Sequence, residues 1–435
     1  MTEHRIWKKI NGGLIFCVIF VLLIIGILIF GGKTRGMRPF NGKSLIDYSQ
    51  GWKDSDGQEK DLSELDLEET ADGSVDLVNT IPVDMDESTD LNFRSKAVDF
   101  SVYIDGSEVY SYFPDLSDIA GRSYGSTFHH IYISKEKAGS TITIHVVPIY
   151  HDNSSFFNMM KLGNSGDYYQ WFMRSHFASF IICLNIIGIG FLLVIMSLLI
   201  WREEKLRINT MSLGFLALML GTWSCLQTLV PQMLMGNMEI CQGINYLLLT
   251  LVPYAGICFI NTLLEKPQKK YTDVVLAVTL IDLLVNMILN YAHVRDYHEM
   301  LPAIHISFVI TVTVMIIAII QDLRGRTKAK KRDNVLVFSF GIFVACAMID
   351  MVRYSMSDNG IDDNGFFVRI GLSLFILIMF CRSMMSLLNY MKIAAKAETI
   401  KKIAYTDALT GIPNRASFVM KETELKRAID DGTLD

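Results

Sequence analysis

Residues 177–200 read FASFIICLNIIGIGFLLVIMSLLI, a run of 24 residues without a charged side chain. A helix of about 20 apolar residues crosses the hydrocarbon core of a bilayer, because it satisfies its own backbone groups there. Hydrophobic residues make up 51% of the 435-residue chain and are gathered in such runs. We therefore predict a polytopic α-helical membrane protein with eight membrane helices. Seven predicted spans form a bundle within 175–386: 177–200, 209–230, 243–263, 272–291, 303–321, 334–354 and 366–386.

The eighth predicted membrane helix lies at the N-terminus. An aliphatic run at 14–30 follows the cations Arg5, Lys8 and Lys9. This pattern fits an uncleaved anchor or a signal peptide. The run is long for a signal peptide, and only Gly31-Gly32 offers small residues near a cleavage point, so we favour an anchor over residues 1–31.

The loop charges predict the orientation of the chain. Cations follow the first, third, fifth and seventh spans of the bundle, whereas the other loops are poor in them. Cytoplasmic loops carry the excess of Lys and Arg in membrane proteins. We expect a multi-pass plasma membrane protein with both termini in the cytoplasm and residues 32–170 outside it. The cations are Arg202, Lys205, Arg207, Lys266, Lys269, Lys270, Arg324, Arg326, Lys328, Lys330, Lys331, Arg332, Lys392, Lys396, Lys401 and Lys402.

Residues 32–170 form a separate acidic segment, with 12 Lys and Arg against 23 Asp and Glu and no cysteine. Alternating apolar residues at 97–104 and 108–112 flank Asp105-Gly106, which is a hairpin signal. Further alternation at 130–133 and 141–148 predicts an all-β sandwich. His129, His130, His145 and His151 fit surface or cross-strand positions better than a metal site.

Within this segment, the block from Phe93-Arg94-Ser95 through Asp105-Gly106 to Val109-Tyr110-Ser111 resembles a known ectodomain. It is similar to the jelly-roll ectodomains of bacterial seven-transmembrane receptors with diverse intracellular signalling modules. The resemblance covers about 75–150 and implies a jelly-roll-like fold. Such domains resemble carbohydrate-binding modules, so a small-molecule or carbohydrate ligand is a hypothesis.

Ionisable residues within the apolar runs include Asp282, Asp350, Arg353 and Arg369. Charged groups at membrane depth are costly and are expected to find partners. Asp350 and Arg353 are i,i+3 neighbours on one helix face, and Arg369 enters from the same side. They fit either an intramembrane switch or ligand pocket, or a structural ion pair with snorkelling side chains.

Residues 387–404 contain neither Gly nor Pro and continue the last span. Tyr390, Ile393, Ala397, Ile400 and Ala404 follow an alternating spacing of three and four. This spacing predicts a short parallel coiled coil that joins two copies of the chain. A plain amphipathic helix is the alternative.

The stretch Asp407-Ala408-Leu409-Thr410-Gly411-Ile412-Pro413-Asn414-Arg415, followed by Phe418, resembles the opening signature of a GGDEF domain, the diguanylate cyclase module. The signature residues Asp407, Leu409, Thr410, Gly411, Asn414 and Arg415 have structural roles at the start of that α/β domain. We expect residues 405–435 to contain only its first helix and the domain to be truncated there. The active site comes later in that family, so we assign no catalytic, cofactor-binding or metal-binding residue. Mg²⁺ and GTP are expected only for a complete domain.

The sequence thus predicts a bacterial transmembrane receptor that regulates a diguanylate cyclase domain. A sensor histidine kinase output is an alternative, although no histidine follows His305. A non-enzymatic receptor or transporter is a second alternative. No basic patch interleaved with aromatic residues indicates nucleic acid, so membrane lipid, a second copy and an outer ligand are the expected partners.

Overall fold

The computed structural model describes residues 45–60, 62, 73–85, 87–114, 125–150, 156–200, 203–236, 238–264, 269–325, 334–355, 365–407 and 410–430. The anchor predicted at 1–31 lies outside these residues. The described chain consists of a β-domain followed by a helical bundle and two C-terminal helical elements.

The β-domain is a sandwich of two antiparallel four-stranded sheets. Sheet A has the strand order β1-β8-β3-β6, and sheet B has the order β2-β7-β4-β5. Two sheets of four strands connected in this order form a jelly roll, as expected from the resemblance. The strands are β1 (Ile46–Asp47), β2 (Val75–Thr80), β3 (Thr89–Lys96), β4 (Val98–Ile104), β5 (Ser107–Tyr112), β6 (Ser126–Ile133), β7 (Thr141–Pro148) and β8 (Phe156–Gly163).

The core of the sandwich lies between the sheets and is apolar, with Phe93, Phe100 and Phe157 fully buried. The predicted hairpin joins β4 to β5. Asp105 and Gly106 both have positive φ, at 49° and 77°. A two-residue turn of this kind matches the twist of the strands, which confirms the hairpin prediction.

Helices occupy all seven of the spans predicted for the bundle. Within the described ranges, six helices are long and apolar enough to cross a membrane, while the apolar part of Asn334–Ser355 is the shorter stretch Phe338–Asp350. The described helices are α1 (Ser165–Leu199), α2 (Glu204–Leu226), α3 (Val230–Met235), α4 (Met238–Leu263), α5 (Lys269–Tyr291), α6 (Leu301–Gly325), α7 (Asn334–Ser355), α8 (Phe366–Tyr405) and α9 (Arg415–Asp430).

Two helices extend beyond the apolar runs that predicted them. Helix α1 begins at Ser165, twelve residues before the run, where the Asn164 side chain caps it by accepting from the Gly166 amide at 2.8 Å. Helix α8 continues without a break through the predicted coil at 387–404. One helix therefore leaves the sandwich for the bundle, and another leaves the bundle for the C-terminus.

Glycines allow α1 and α2 to pack closely. A Cβ on Gly190 would lie 2.9 Å from the Leu218 backbone nitrogen, and one on Gly214 would lie 3.0 Å from that of Val194. Small residues at such contacts let membrane helices approach and gain dispersion energy. Helices α1 and α8 both run away from the sandwich, so we call the end of the bundle where they begin the sandwich end and the opposite end the far end.

Candidate functional site

Asp350 and Arg353 form an ion pair at the sandwich end of α7. Arg353 Nη1 donates to Asp350 Oδ1 at 2.9 Å, and its guanidinium lies 5.1 Å from the centre of the Phe367 ring. Asp350 is 5% exposed, whereas the Arg353 side chain is 35% exposed. The pair predicted from the i,i+3 spacing is therefore present.

The same carboxylate also holds the start of α8. Asp350 Oδ2 accepts the backbone N–H of Val368 at 2.7 Å. The first N–H groups of a helix have no partner within it, and the positive end of the helix dipole favours an anion there. Asp350 thus fixes the end of α7 to the beginning of α8.

Arg369 lies one residue further along α8 and points to a different helix. Its Nη1 donates to Ser179 Oγ on α1 at 3.4 Å, and the residue is 4% exposed. Asp350, Arg353 and Arg369 therefore connect α7, α8 and α1 in a polar cluster in which Asp350 and Arg369 are buried and Arg353 is partly exposed. We call these three residues the buried cluster.

Asp282 does not belong to this cluster. It lies on α5, where its Oδ1 accepts from Asn286 Nδ2 one turn away at 2.9 Å. Helix α5 packs against α4 and α6, and not extensively against α7 or α8. The structure therefore separates Asp282 from the other three predicted residues.

The sandwich contacts the bundle first through the start of α1. The Asp90 carboxylate accepts from the Ser165 amide at 3.1 Å and also from its hydroxyl group. The buried Asn92 donates to the Gly163 carbonyl at 2.8 Å. Strand β3 of sheet A therefore holds both the last residue of β8 and the first turn of α1.

His130 on β6 extends this contact. Since Asn92 Nδ2 faces two carbonyl groups, its Oδ1 accepts from His130 Nδ1, at 2.6 Å. The His130 ring lies 4.8 Å from that of Tyr169 on α1, and Phe128 meets Phe172 at 5.1 Å. Burial lowers the pKa of His130, and the nearby Asp90 carboxylate opposes this effect.

A second contact joins the sandwich to the loop between α5 and α6. Tyr150 is buried and donates its hydroxyl hydrogen bond to Asp296 Oδ2, and its ring stacks beside His298 with centres 4.3 Å apart. Burial and the Asp296 carboxylate raise the pKa of Tyr150, so the phenol keeps its proton. Gly125 faces Gln242 of α4, where a Cβ would approach the amide oxygen to 2.6 Å. The sandwich therefore contacts α1, α4 and the loop between α5 and α6.

His129 is buried inside the sandwich, at 2% exposure. Its Nε2 lies 2.8 Å from Ser95 Oγ and its Nδ1 lies 3.0 Å from the Tyr110 hydroxyl. Burial lowers its pKa to about 3, so the imidazole is neutral. The expected cross-strand placement holds, but a surface position does not. The alternation of side chains along β6 predicts the buried position, since His129 lies on the same face of the strand as Ile131 and Ile133.

Asp407 organises the turn after α8. Its Oδ1 accepts from both the backbone N–H and the hydroxyl group of Thr410 at 2.9 Å. Gly411 has φ 68°, a conformation that favours glycine, and donates its N–H to the Asp407 carbonyl. Leu409 lies outside the described residues.

Asn414 connects this turn to the next helix. Its Nδ2 donates to the Ala404 carbonyl at 2.8 Å, and its Oδ1 accepts from the Ser417 amide at 3.1 Å as an N-cap of α9. Arg415 is the first, exposed residue of that helix. The observed contacts of Asp407, Thr410, Gly411 and Asn414 are structural and link α8 to α9.

Metal ligation finds no support within the part of the chain that the structure describes. No group of three or more His, Cys, Asp or Glu side chains there could hold a metal ion. The Asp407 carboxylate is engaged by Thr410.

Comparison with known proteins identifies the helical bundle. Residues 178–383 match the sequence model of the family described as 7TM diverse intracellular signalling. A search of curated proteins returned no match. Among the described residues, the match overlaps all six helices that are long and apolar enough to cross a membrane, and it includes α7 and the buried cluster. This similarity indicates a multi-pass transmembrane signalling receptor with a seven-transmembrane receptor front end.

Proposed function

We propose that this chain senses a ligand outside the cytoplasm and regulates a C-terminal diguanylate cyclase domain, which makes cyclic di-GMP from two GTP molecules. The observation that carries the proposal is the position of the GGDEF signature. The turn formed by Asp407, Thr410 and Asn414 directly follows α8, which begins at the buried cluster. The receptor and the signature are thus joined by one helix.

The orientation of the bundle rests on the sequence. Basic loops alternate with loops poor in cations, and the basic ones connect helices at the far end. Because cytoplasmic loops carry this excess, we place the far end in the cytoplasm and the sandwich outside it, in the plasma membrane. A domain that uses GTP requires this arrangement.

Helix α8 provides a direct route for the signal. Its 40 residues extend about 60 Å at 1.5 Å per residue. Its first turn is held by Asp350 of α7 and by Ser179 of α1, the helix that begins at the sandwich. A change in how the sandwich sits on α1 would therefore shift or rotate α8 as a unit.

The cytoplasmic part of α8 is the proposed dimer contact. Ile393 and Ile400 of the predicted seam are 67% and 66% exposed in the single chain. A parallel coiled coil with a second copy would cover them. Two cyclase domains would then meet in an arrangement set by the rotation of α8.

No group of three or more His, Cys, Asp or Glu side chains among the described residues could hold Mg²⁺. We assign Mg²⁺ and GTP to a complete GGDEF domain and derive no catalytic step for this chain. A histidine kinase output and a non-enzymatic receptor or transporter remain the alternatives that the experiment must separate.

The test is cyclic di-GMP formation by membranes containing the protein encoded by the complete gene, supplied with GTP and Mg²⁺. Product formation is expected. Its absence, together with the absence of a Gly-Gly-(Asp/Glu)-Glu-Phe turn in the roughly 130 codons that complete such a domain, would contradict the proposal.

Insertions into α8 then test the coupling. Two residues inserted after Ala395 rotate the following chain by about 200°, whereas seven rotate it by about 20° in the opposite sense. The two-residue insertion should change cyclase activity much more than the seven-residue control. Equal effects would argue against rotation of α8 as the signal.

A further inference from the structure

Arg94 on β3 is a partly buried cation without an acidic partner among the described residues. Its Nη2 donates to Ser126 Oγ at 3.0 Å, and its guanidinium carbon lies 5.5 Å from the centre of the Phe156 ring. Its Nε is buried without a hydrogen-bond partner, and no described carboxylate oxygen lies within 4 Å. A buried charge normally requires an opposite charge and satisfied hydrogen bonds.

The guanidinium keeps its charge in this position. Burial lowers the pKa of Arg94 to about 10, which is still well above neutral pH. Lys96 Nζ lies 5.2 Å from the centre of the same Phe156 ring, so two cations approach one aromatic face. Arg94 is therefore positively charged at pH 7.

Other buried polar atoms on this face of sheet A also lack partners. Asn158 pairs with Arg94 in the β3–β8 register, so the two side chains are neighbours on one face. Asn158 Oδ1 is buried without a hydrogen bond, as is His130 Nε2 on β6. The amide can present either its oxygen or its nitrogen to a ligand. This face therefore offers charge and hydrogen-bonding capacity that the described chain does not use.

The first turns of α1 cover this same face. Tyr168 is fully buried and lies close enough to Arg94 to raise the pKa of the guanidinium. Asp90, on the same strand, is engaged with Ser165 and stands four residues from Arg94, about 13 Å along the strand. The Asp90 carboxylate therefore does not neutralise the charge of Arg94.

We propose that the face of sheet A beneath the start of α1 binds an oxyanion, a carboxylate or a phosphate, through Arg94 with Asn158 beside it. A guanidinium matches such a group with paired hydrogen bonds. The source is a free small molecule or a lipid headgroup, since the apolar run begins nine residues after Tyr168. This ligand class deepens the proposed function and depends on it only for its effect on signalling. Binding itself is independent of any cyclase.

The experiment uses the full chain in phosphatidylcholine nanodiscs and measures its thermal unfolding with increasing inorganic phosphate or acetate, against chloride at equal ionic strength. Phosphate or acetate should raise the midpoint of the wild type and of Lys135→Gln, a matched change at an exposed lysine. Arg94→Gln should weaken the binding by at least about thirtyfold, as expected when one member of a buried charge pair is removed.

A second set of nanodiscs contains phosphatidylglycerol. If the anion comes from lipid, these discs raise the midpoint of the wild type and not that of Arg94→Gln, while free phosphate adds little. If Arg94→Gln does not fold, Asn158→Ala should weaken phosphate binding with Arg94 in place.

Two results would overturn the proposal. One is a wild type whose midpoint responds to none of phosphate, acetate and phosphatidylglycerol. The other is an Arg94→Gln variant whose midpoint rises with phosphate or acetate as much as that of the wild type or, if that variant does not fold, an Asn158→Ala variant that binds phosphate as tightly as the wild type. The stability of Arg94→Gln in chloride alone does not decide between these results, because the change also removes the bond to Ser126 and the contact with the Phe156 ring.

Discussion

Asp350→Ala tests whether one buried carboxylate fixes α7 to α8. The change removes the acceptor of the Val368 amide at 2.7 Å and the partner of Arg353 at 2.9 Å. A hydrogen bond to a charged group contributes about 1.5–3 kcal/mol. The Arg353 side chain is 35% exposed, so its ion pair with Asp350 should contribute less than about 1 kcal/mol to stability. Because polar contacts within membranes are often weak, we expect a total loss of about 2–3 kcal/mol.

The assay is denaturation of the purified protein in mild detergent, followed by intrinsic fluorescence. Asp350→Asn keeps an acceptor for the Val368 amide and should lower the free energy of unfolding by about 1 kcal/mol. Arg353→Gln removes only the ion pair and should have a similar effect. The free energy of unfolding should therefore decrease from the wild type to Asp350→Asn and again to Asp350→Ala, if the carboxylate holds the start of α8. If Asp350→Ala is as stable as the wild type, or if Asp350→Asn is equally damaging, the carboxylate does not hold the start of α8.

Three further changes test other parts of the structure. Gly214→Leu should destabilise the bundle by at least about 2 kcal/mol because its Cβ would meet the Val194 backbone at 3.0 Å, whereas Gly188→Leu, with open space around it, should be tolerated in the same detergent assay. In the unfolded chain the His129 imidazole binds a proton below its usual pKa of about 6.5, whereas in the folded chain it does so only below about pH 3. Between these two pH values the unfolded state binds more protons, so the free energy of unfolding rises with pH. Between pH 6.5 and 5 the loss should be about 2 kcal/mol in urea denaturation, and His129→Gln should flatten this dependence. Tyr150→Phe removes the bond to Asp296 and should cost about 1–3 kcal/mol of sandwich stability, and unchanged protease resistance of the sandwich would argue against this contact.

The local features of the fold were readable from the sequence. Asp105-Gly106 predicted the hairpin because few residues other than glycine and Asp or Asn accept positive φ at both turn positions. The long apolar runs predicted the helices because length and composition suffice for that inference.

The contacts between elements were harder to predict from the sequence. The i,i+3 pair of Asp350 and Arg353 follows from one helix, but the bond from Val368 depends on how two helices pack. For the same reason Asp282, which looked equivalent in the sequence, lies apart from the buried cluster. The start of α1 at Ser165 was hidden because its first turns are polar and aromatic where they meet sheet A.

Reporter fusions test most directly the central claim, that the sandwich lies outside the cytoplasm and the C-terminal signature lies inside it. Three fusion points suffice, after Lys270, Arg332 and Asp363 of the full chain. The account predicts cytoplasmic reporters after Lys270 and Arg332 and an external reporter after Asp363. The opposite pattern would contradict it, because the sandwich would then lie in the cytoplasm and the basic loops and the C-terminal signature would lie outside.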